Sequence, residues 1–414
     1  MSGVCEFTVF VFGDFIKAMK ILMICGVYDE ENEREVLRYT KGYAEQSANI
    51  FQRKLISGIK KNGIEYKIIS APFIGAYPMR FKKSRFRGFA VNSLDYEYVP
   101  FNNVWGIRNF SRAAALKRAI KDYFNHESEE ELLILVYCPH SPFLEAATYA
   151  KKLKPKSKIC LVVPDLPQYM NLDEKGRGLY DFFKKYDIRH MERFIAEVDS
   201  FVLLTEPMKD VLKVGNRPYI VVEGIVEEDQ FSAHFEMPND GLKRIVYTGK
   251  MNEKFGIKNL VDAFMRIEDP DYRLILCGDG DARGYVEEMS KVDGRIEYKG
   301  MVTAVEAKKY IESADVLVNP RPNNEEYTKY SFPSKNIEYL MTGKPVVAYM
   351  LDGMPDIYES FLFSADEENI EKTIILALAD SKERPFRLYA DNFLRNGIVV
   401  SRILELAKGF AGNG

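Results

Sequence analysis

Two stretches of this 414-residue chain set charge beside glycine or serine. In Thr248-Gly-Lys-Met-Asn-Glu-Lys-Phe-Gly-Ile257 an apolar run ends, and Gly249 permits close backbone approach. Lys250 and Lys254 then stand just before an expected helix. Lysines in such a place can meet a phosphate. A fixed cation also stabilises the charge that develops as a diphosphate leaves. A solvated lysine loop is the alternative. In the second stretch, Ser331 and Ser334 put hydroxyls and backbone amides where a short helix starts, and Lys335 adds charge. Glu338, one turn on, can accept two hydroxyl hydrogen bonds from a ribose diol. Capping plus a surface ion pair reads from the same residues.

Other motifs are less specific. Leu274–Asp281 enters a glycine turn in which Gly278, Gly280 and Gly284 hint at dinucleotide binding, and Asp279-Gly-Asp281 imitates a metal-binding DxD. A dinucleotide fingerprint belongs to the first βαβ unit, and this one arrives late, so a strand-ending turn is the expected role. His140, in Tyr137-Cys-Pro-His140, and Asp165, in Val163-Pro-Asp-Leu-Pro167, each follow a strand. His140 is placed to hydrogen-bond a transferred group or its acceptor, and Asp165 to orient a hydroxyl. A structural histidine and a turn cap are the alternatives. Arg80–Phe89 interleaves five basic residues with Phe81, Phe86 and Phe89. Such a patch suits an anionic leaflet or is a solvated charged loop.

Elements that position these residues follow from the apolar pattern. Hydrophobic residues make up 46% and charged residues 29%, enough for a full core. With 58 Lys and Arg against 61 Asp and Glu, the net charge is -3, which argues against a nucleic-acid partner. The five cysteines form no CxxC pair and read as buried small hydrophobes of a reducing compartment. The four histidines do not pair at ligand spacing, so no metal site is expected.

Continuous apolar runs predict strands at Lys20–Cys25, Tyr66–Ser70, Leu132–Tyr137, Lys158–Val163, Phe201–Thr205 and Tyr219–Val222. A second series lies at Arg244–Tyr247, Arg273–Cys277, Arg295–Tyr298, Val316–Asn319 and Pro345–Tyr349. Amphipathic stretches between them, such as Gln46–Lys61 and Val305–Ser313, read as helices. Asp29–Lys41 reads as a long charged loop, and Leu388–Phe410 as helical and amphipathic. Such alternation requires parallel sheets covered on both faces. The expected fold is α/β, two doubly wound Rossmann-like domains facing a central cleft. The divisions are an extension at 1–18, a first domain at 19–225, a linker at 226–242, a second domain at 243–387 and a helical segment at 388–414 that packs back on the first domain. No apolar run reaches the roughly 18 residues of a membrane span, so a cytoplasmic protein is expected.

Residues 243–360 resemble the retaining glycosyltransferases of family 4, which have the GT-B fold. The resemblance rests on Tyr247–Ile257, Leu274–Gly280, Lys299-Gly-Met301, Ala314–Pro320, Phe332–Leu340 and Gly343–Val347, in that order and spacing. It implies that Lys254 and Lys250 contact a donor diphosphate, with Gly249 and Gly278 in the adjoining turns. It further implies that Ser331 through Lys335 face the phosphates and that Glu338 binds the ribose. The family's second glutamate, near the donor sugar, is Tyr330 here, and Glu326 is the nearest substitute. The loop after Lys20–Cys25 lacks the family's usual glycine pair.

The expected activity is transfer of a sugar, with retained configuration and without metal or cofactor, from a nucleoside-diphosphate sugar to a glycan or lipid-linked acceptor. UDP-sugar is favoured over GDP-sugar, and the setting implied is surface polysaccharide synthesis, with peripheral contact to the membrane's inner face through Arg80–Phe89. A sugar-nucleotide epimerase and a catalytically silent sugar-nucleotide-binding subunit are the alternatives.

Overall fold

A computed structural model of the chain describes residues 19–42, 46–90, 93–169, 178–227, 240–380, 382 and 384–409. The extension at 1–18 and most of the expected linker lie outside them. Fifteen strands run among the described residues: β1 Lys20–Cys25, β2 Tyr66–Ser70, β3 Arg85–Phe86, β4 Tyr96–Tyr98, β5 Phe101–Asn102, β6 Leu132–Tyr137, β7 Lys158–Val163, β8 Ser200–Leu203, β9 Tyr219–Val221, β10 Lys243–Thr248, β11 Tyr272–Cys277, β12 Ile296–Gly300, β13 Val316–Asn319, β14 Val346–Ala348 and β15 Phe363–Ser364.

The chain divides into two compact units. One comprises the residues up to Leu203, Leu212–Ile220 and those from Val399 on; the other comprises Leu204–Val211 and Val221–Ile398. In the first unit the sheet order is β4-β2-β1-β6-β7-β8-β9. From β4 to β8 its neighbours pair parallel. The second unit has the all-parallel order β12-β11-β10-β13-β14-β15. Both are doubly wound Rossmann-like sheets, as expected.

Residue alternation explains why such strands read as unbroken apolar runs. In the second unit Ile245, Tyr247, Leu274 and Leu276 enter one buried cluster. Their neighbours Val246, Ile275 and Cys277 enter another on the opposite face. With both faces buried there is no polar side to the pattern. Each fully buried Val, Leu or Ile contributes about 1.5–3 kcal/mol relative to exposure.

Several expectations need correction. Asp29–Lys41 is not a loop: Asp29 caps a helix, Glu30–Tyr39, by accepting from the Asn32 amide at 2.9 Å. Val36 is its one buried residue, so it carries almost no apolar signal. The terminal stretch is helical, as expected, in two pieces, Phe386–Phe393 and Asn396–Ala407, because the intervening Arg395 is tied by its backbone to Val226. From Val399 on, this stretch belongs to the first unit, where the Ser401 hydroxyl donates to Asn62 at 3.0 Å. Glu223, which the expected divisions put at the end of the first domain, is buried at 4% exposure in the second unit and accepts from the Tyr358 and Tyr389 hydroxyls.

The four described cysteines are buried thiols. Burial pushes Cys25 and Cys160 up to about 12 and Cys277 to about 11, so they stay protonated and unreactive at neutral pH. No helix among the described residues is long and apolar enough to cross a membrane.

Candidate functional site

At the carboxyl end of β10 the chain turns through Gly249 and Lys250 into one turn of 3-10 helix, Glu253–Phe255. This turn interlocks with the loop after β11. The Gly249 amide donates to the Cys277 carbonyl and the Met251 amide to that of Asp279, both at 2.9 Å. Asp281 accepts from the Glu253 amide at 2.7 Å, and Asp279 from the Gly280 amide at 2.9 Å. Gly278 has φ +141°, and a Cβ there would lie 1.8 Å from the Gly249 carbonyl oxygen. Both aspartates and Gly278 thus fasten one loop to the other. These contacts are those of a strand-ending turn.

Lys254 is exposed, with Nζ 5.6 Å from the centre of the Phe255 ring. The Arg321 guanidinium lies 5.5 Å from the same ring and 5.2 Å from that of Tyr327. Arg321 donates through Nη2 to the Ser331 hydroxyl at 2.8 Å, and its Nε is shielded from water without a partner among the described residues. The structure therefore groups Lys254, Arg321 and Ser331 around Phe255. Sequence reasoning missed Arg321, although Asn319-Pro-Arg-Pro322 sets it directly after β13. Lys250 is exposed, and its carbonyl accepts from the Tyr247 hydroxyl at 2.7 Å.

Helix Ser334–Leu340 is fastened beneath and open above. Beneath, the Tyr339 hydroxyl accepts from the Thr248 amide at 2.8 Å, and Asn336 accepts from Asn319 at 2.6 Å. Above, Lys335 Nζ lies 2.7 Å from Glu338 Oε2 and 3.2 Å from the Thr248 hydroxyl. Both members of this pair are about one-third exposed, so they are rigidly based yet accessible. The helix has Pro333 at its N-cap with no side-chain cap, and Ser334 is exposed. Ser331 and Ser334 are thus not capping residues, whereas the surface ion pair is present.

Glu326 and Tyr330 lie on a 3-10 turn, Glu326–Tyr330. Glu326 is exposed and Tyr330 half-buried. Thr328, 1% exposed, holds the turn by donating to the Asn323 side chain at 2.8 Å.

In the first unit the loop after β1 needs no glycine pair, because helix Gln46–Lys61 clamps it with polar side chains. Gln52 accepts from the Gly26 amide at 2.9 Å, while Asn49 accepts from the Tyr28 amide at 2.9 Å and donates to its carbonyl at 3.0 Å. Beyond β6, Cys138 is held at φ +64°, a conformation few non-glycine residues adopt, and His140 follows it. The His140 ring packs edge-on to Phe143 and Phe73. Its Nδ1 is shielded from water and has no partner among the described residues. Burial, together with Arg112 and Arg108, pushes its pKa well below the usual range, so the ring is neutral. Asp165, after β7, is exposed. Arg112 is a second group that sequence reasoning missed: 1% exposed, it donates to the Pro72 carbonyl at 2.8 Å and lies 4.4 Å from the Phe101 ring.

Of the basic–aromatic segment, Phe81 and Phe86 are buried, at 4% and 7% exposure, and Phe89 packs on Phe86 and Tyr98. These rings face inward, which corrects the reading that they interleave with the basic residues on a leaflet.

Residues 242–380 match the family of glycosyl transferases group 1. The matched residues lie within the second unit. It holds Gly249, Lys250, Lys254, Gly278, Ser331, Ser334, Lys335 and Glu338. The chain is 30% identical over 122 residues to the uncharacterized glycosyltransferase MJ1607 of Methanocaldococcus jannaschii, covering 28% of this chain and 30% of that one. It is 26% identical over 253 residues to TuaH of Bacillus subtilis, a glycosyltransferase named for teichuronic acid biosynthesis, covering 54% and 63%. The chain thus spans less than two-thirds of the length of either relative. Among solved structures it is similar to Anabaena HepE in complex with UDP, with a TM-score of 0.58 at 12% identity over 94% of this chain and all of that one. That likeness extends the fold match beyond residues 242–380 to both Rossmann-like units, the GT-B fold.

Proposed function

We propose that the chain is a retaining glycosyltransferase that moves a sugar from a nucleoside-diphosphate sugar, UDP-sugar by preference, to a hydroxyl of a glycan or lipid-linked acceptor. The observation that carries this reading is the arrangement at the end of β10. Lys335 bridges Glu338 and Thr248, beside a turn where Lys254 and Arg321 share the Phe255 ring. Glu338 supplies a carboxylate for the ribose diol. Lys254, Lys250 and Arg321 supply positive charge for the diphosphate, with Ser331 and Ser334 donating beside them.

As the bond from the sugar to the diphosphate breaks, its electron pair goes to the phosphate oxygen. The cations stabilise that charge without a metal ion. The acceptor's hydroxyl oxygen then attacks the face the leaving group vacates, which retains configuration, and passes its proton to the departing phosphate oxygen. Neutral His140 and Asp165 serve the sugar and acceptor hydroxyls, and Glu326 or Tyr330 lies near the donor sugar. TuaH's name and the UDP held by HepE support a UDP-sugar and a surface-polysaccharide setting.

A thermal-shift panel of UDP, GDP, ADP, dTDP, CMP and NAD, with EDTA and with magnesium, tests the donor. A ligand at 100 times its Kd adds about 2.7 kcal/mol of stability. A shift with UDP, indifferent to EDTA and lost in Lys254→Ala, is expected. A shift with NAD alone, or with nothing, overturns the reading. Product analysis without acceptor then separates transfer from epimerisation.

A further inference from the structure

The first unit holds a cavity of about 600 Å3, bounded by the helix Glu30–Tyr39 that follows β1, by Ile74 and Tyr77 beyond β2, and by residues 81–89. That volume lies within the range of about 300–1,000 Å3 that small-molecule sites occupy. Its place is the carboxyl side of the parallel strands, where doubly wound sheets take their ligands. A short ribbon, β3 paired antiparallel with β5, stiffens the far wall.

The lining has an unusual composition. Four basic side chains, Lys82, Lys83, Arg85 and Arg87, face one acid, Glu35. Glu35 is engaged by Lys83 at 3.1 Å, and Lys83 also lies 3.6 Å from the centre of the Tyr39 ring. Lys82 donates to the Arg38 carbonyl at 3.0 Å. Arg85 and Arg87 are exposed and make no ion pair among the described residues. Between these charges the lining is aromatic, with Tyr39, Tyr77 and Phe89 beside the buried Phe81 and Phe86.

A fork of unpaired guanidinium groups selects carboxylate or phosphate. Flat rings alongside suit the C–H face of a pyranose. The surface is concave and its rings turn inward, which favours a saccharide over a bilayer.

We propose that this cavity binds an acidic saccharide, its anionic group on Arg85 and Arg87. The glycosyltransferase reading, on which this rests, makes that saccharide the acceptor. The proposal thus narrows the acceptor class to glycans bearing a carboxylate or phosphate.

The test is calorimetric titration of the full chain with tetragalacturonate, a neutral galactose tetrasaccharide, a phosphorylated oligosaccharide and phosphatidylglycerol vesicles. UDP is titrated separately. The wild type is expected to bind at least one acidic saccharide, more weakly as salt rises, and not the neutral one. The two acidic probes tell carboxylate from phosphate. Arg85→Gln combined with Arg87→Gln should weaken that binding at least about tenfold while leaving the melting temperature and UDP affinity unchanged.

Equal binding of the neutral sugar, or an unaltered double variant, overturns the proposal. So does an arginine-dependent affinity for vesicles without one for saccharides. UDP binding with no acidic saccharide bound sinks the cavity proposal alone. The reverse result keeps the cavity as a saccharide site and removes the donor reading.

Discussion

Arg321 reaches across the loop to the Ser331 hydroxyl, 2.8 Å from its Nη2, while its Nε stays shielded and unpartnered among the described residues. A buried donor without an acceptor costs about 1–3 kcal/mol. An incoming phosphate oxygen would relieve that cost.

The first prediction concerns this arginine. Arg321→Ala should weaken UDP binding by roughly ten- to a hundredfold, the loss of a charge-assisted hydrogen bond of about 1.5–3 kcal/mol. Arg321→Lys, which keeps the charge but not the planar fork, should fall between. Calorimetry decides it, and equal affinities for all three proteins would remove Arg321 from the donor site.

Glu338 is assigned to the ribose, so its effect should depend on the ribose hydroxyls. Glu338→Ala is expected to lower UDP affinity about tenfold or more, yet barely change that for 2′,3′-dideoxy-UDP. The same loss with both ligands would mean the carboxylate acts only by holding Lys335, 2.7 Å away.

Two glycines six residues apart should respond in opposite directions. Gly278→Ala drives a Cβ to 1.8 Å from backbone at a positive φ, so a loss above about 2 kcal/mol is expected. Gly284, in helix Arg283–Val292, has open space around it, and Gly284→Ala should gain about 0.5–1 kcal/mol. Denaturant melts of the two variants check both signs.

The depressed pKa of His140 implies a pH dependence. Above about pH 6.5 the ring is neutral folded and unfolded. As pH falls below that, the unfolded chain takes up a proton that the buried ring refuses, so stability drops until the folded pKa is passed. His140→Gln should therefore lose less stability than the wild type between pH 7 and 5, in urea melts at each pH. Parallel profiles would show that the ring is protonated in the fold.

The central strands were legible because burial on both faces leaves runs such as Leu132–Tyr137 wholly apolar. Two-residue edge strands such as β3, β5 and β15 are too short to carry a period. The helix Glu30–Tyr39 was hidden by a surface of six charged residues on one buried valine. Within the site, the Lys335 and Glu338 pair could be read, since three residues on a helix make a contact. Arg321 and Arg112 could not, because their partners are aromatic rings and distant oxygens with no fixed spacing in sequence. The clamp by Asn49 and Gln52 left a faint trace: two polar residues three apart on an otherwise apolar helix face.

The chain's return to its first unit also bears on synthesis. Val399, Val400, Ile403 and Leu404 are buried there, so that unit lacks part of its packing until they emerge. Residues 221–398 must be made first. At roughly 5–20 residues per second, the ribosome takes about ten to forty seconds over them. The unit begun first is the one completed last. Throughout that interval its nascent surface is one a chaperone can hold.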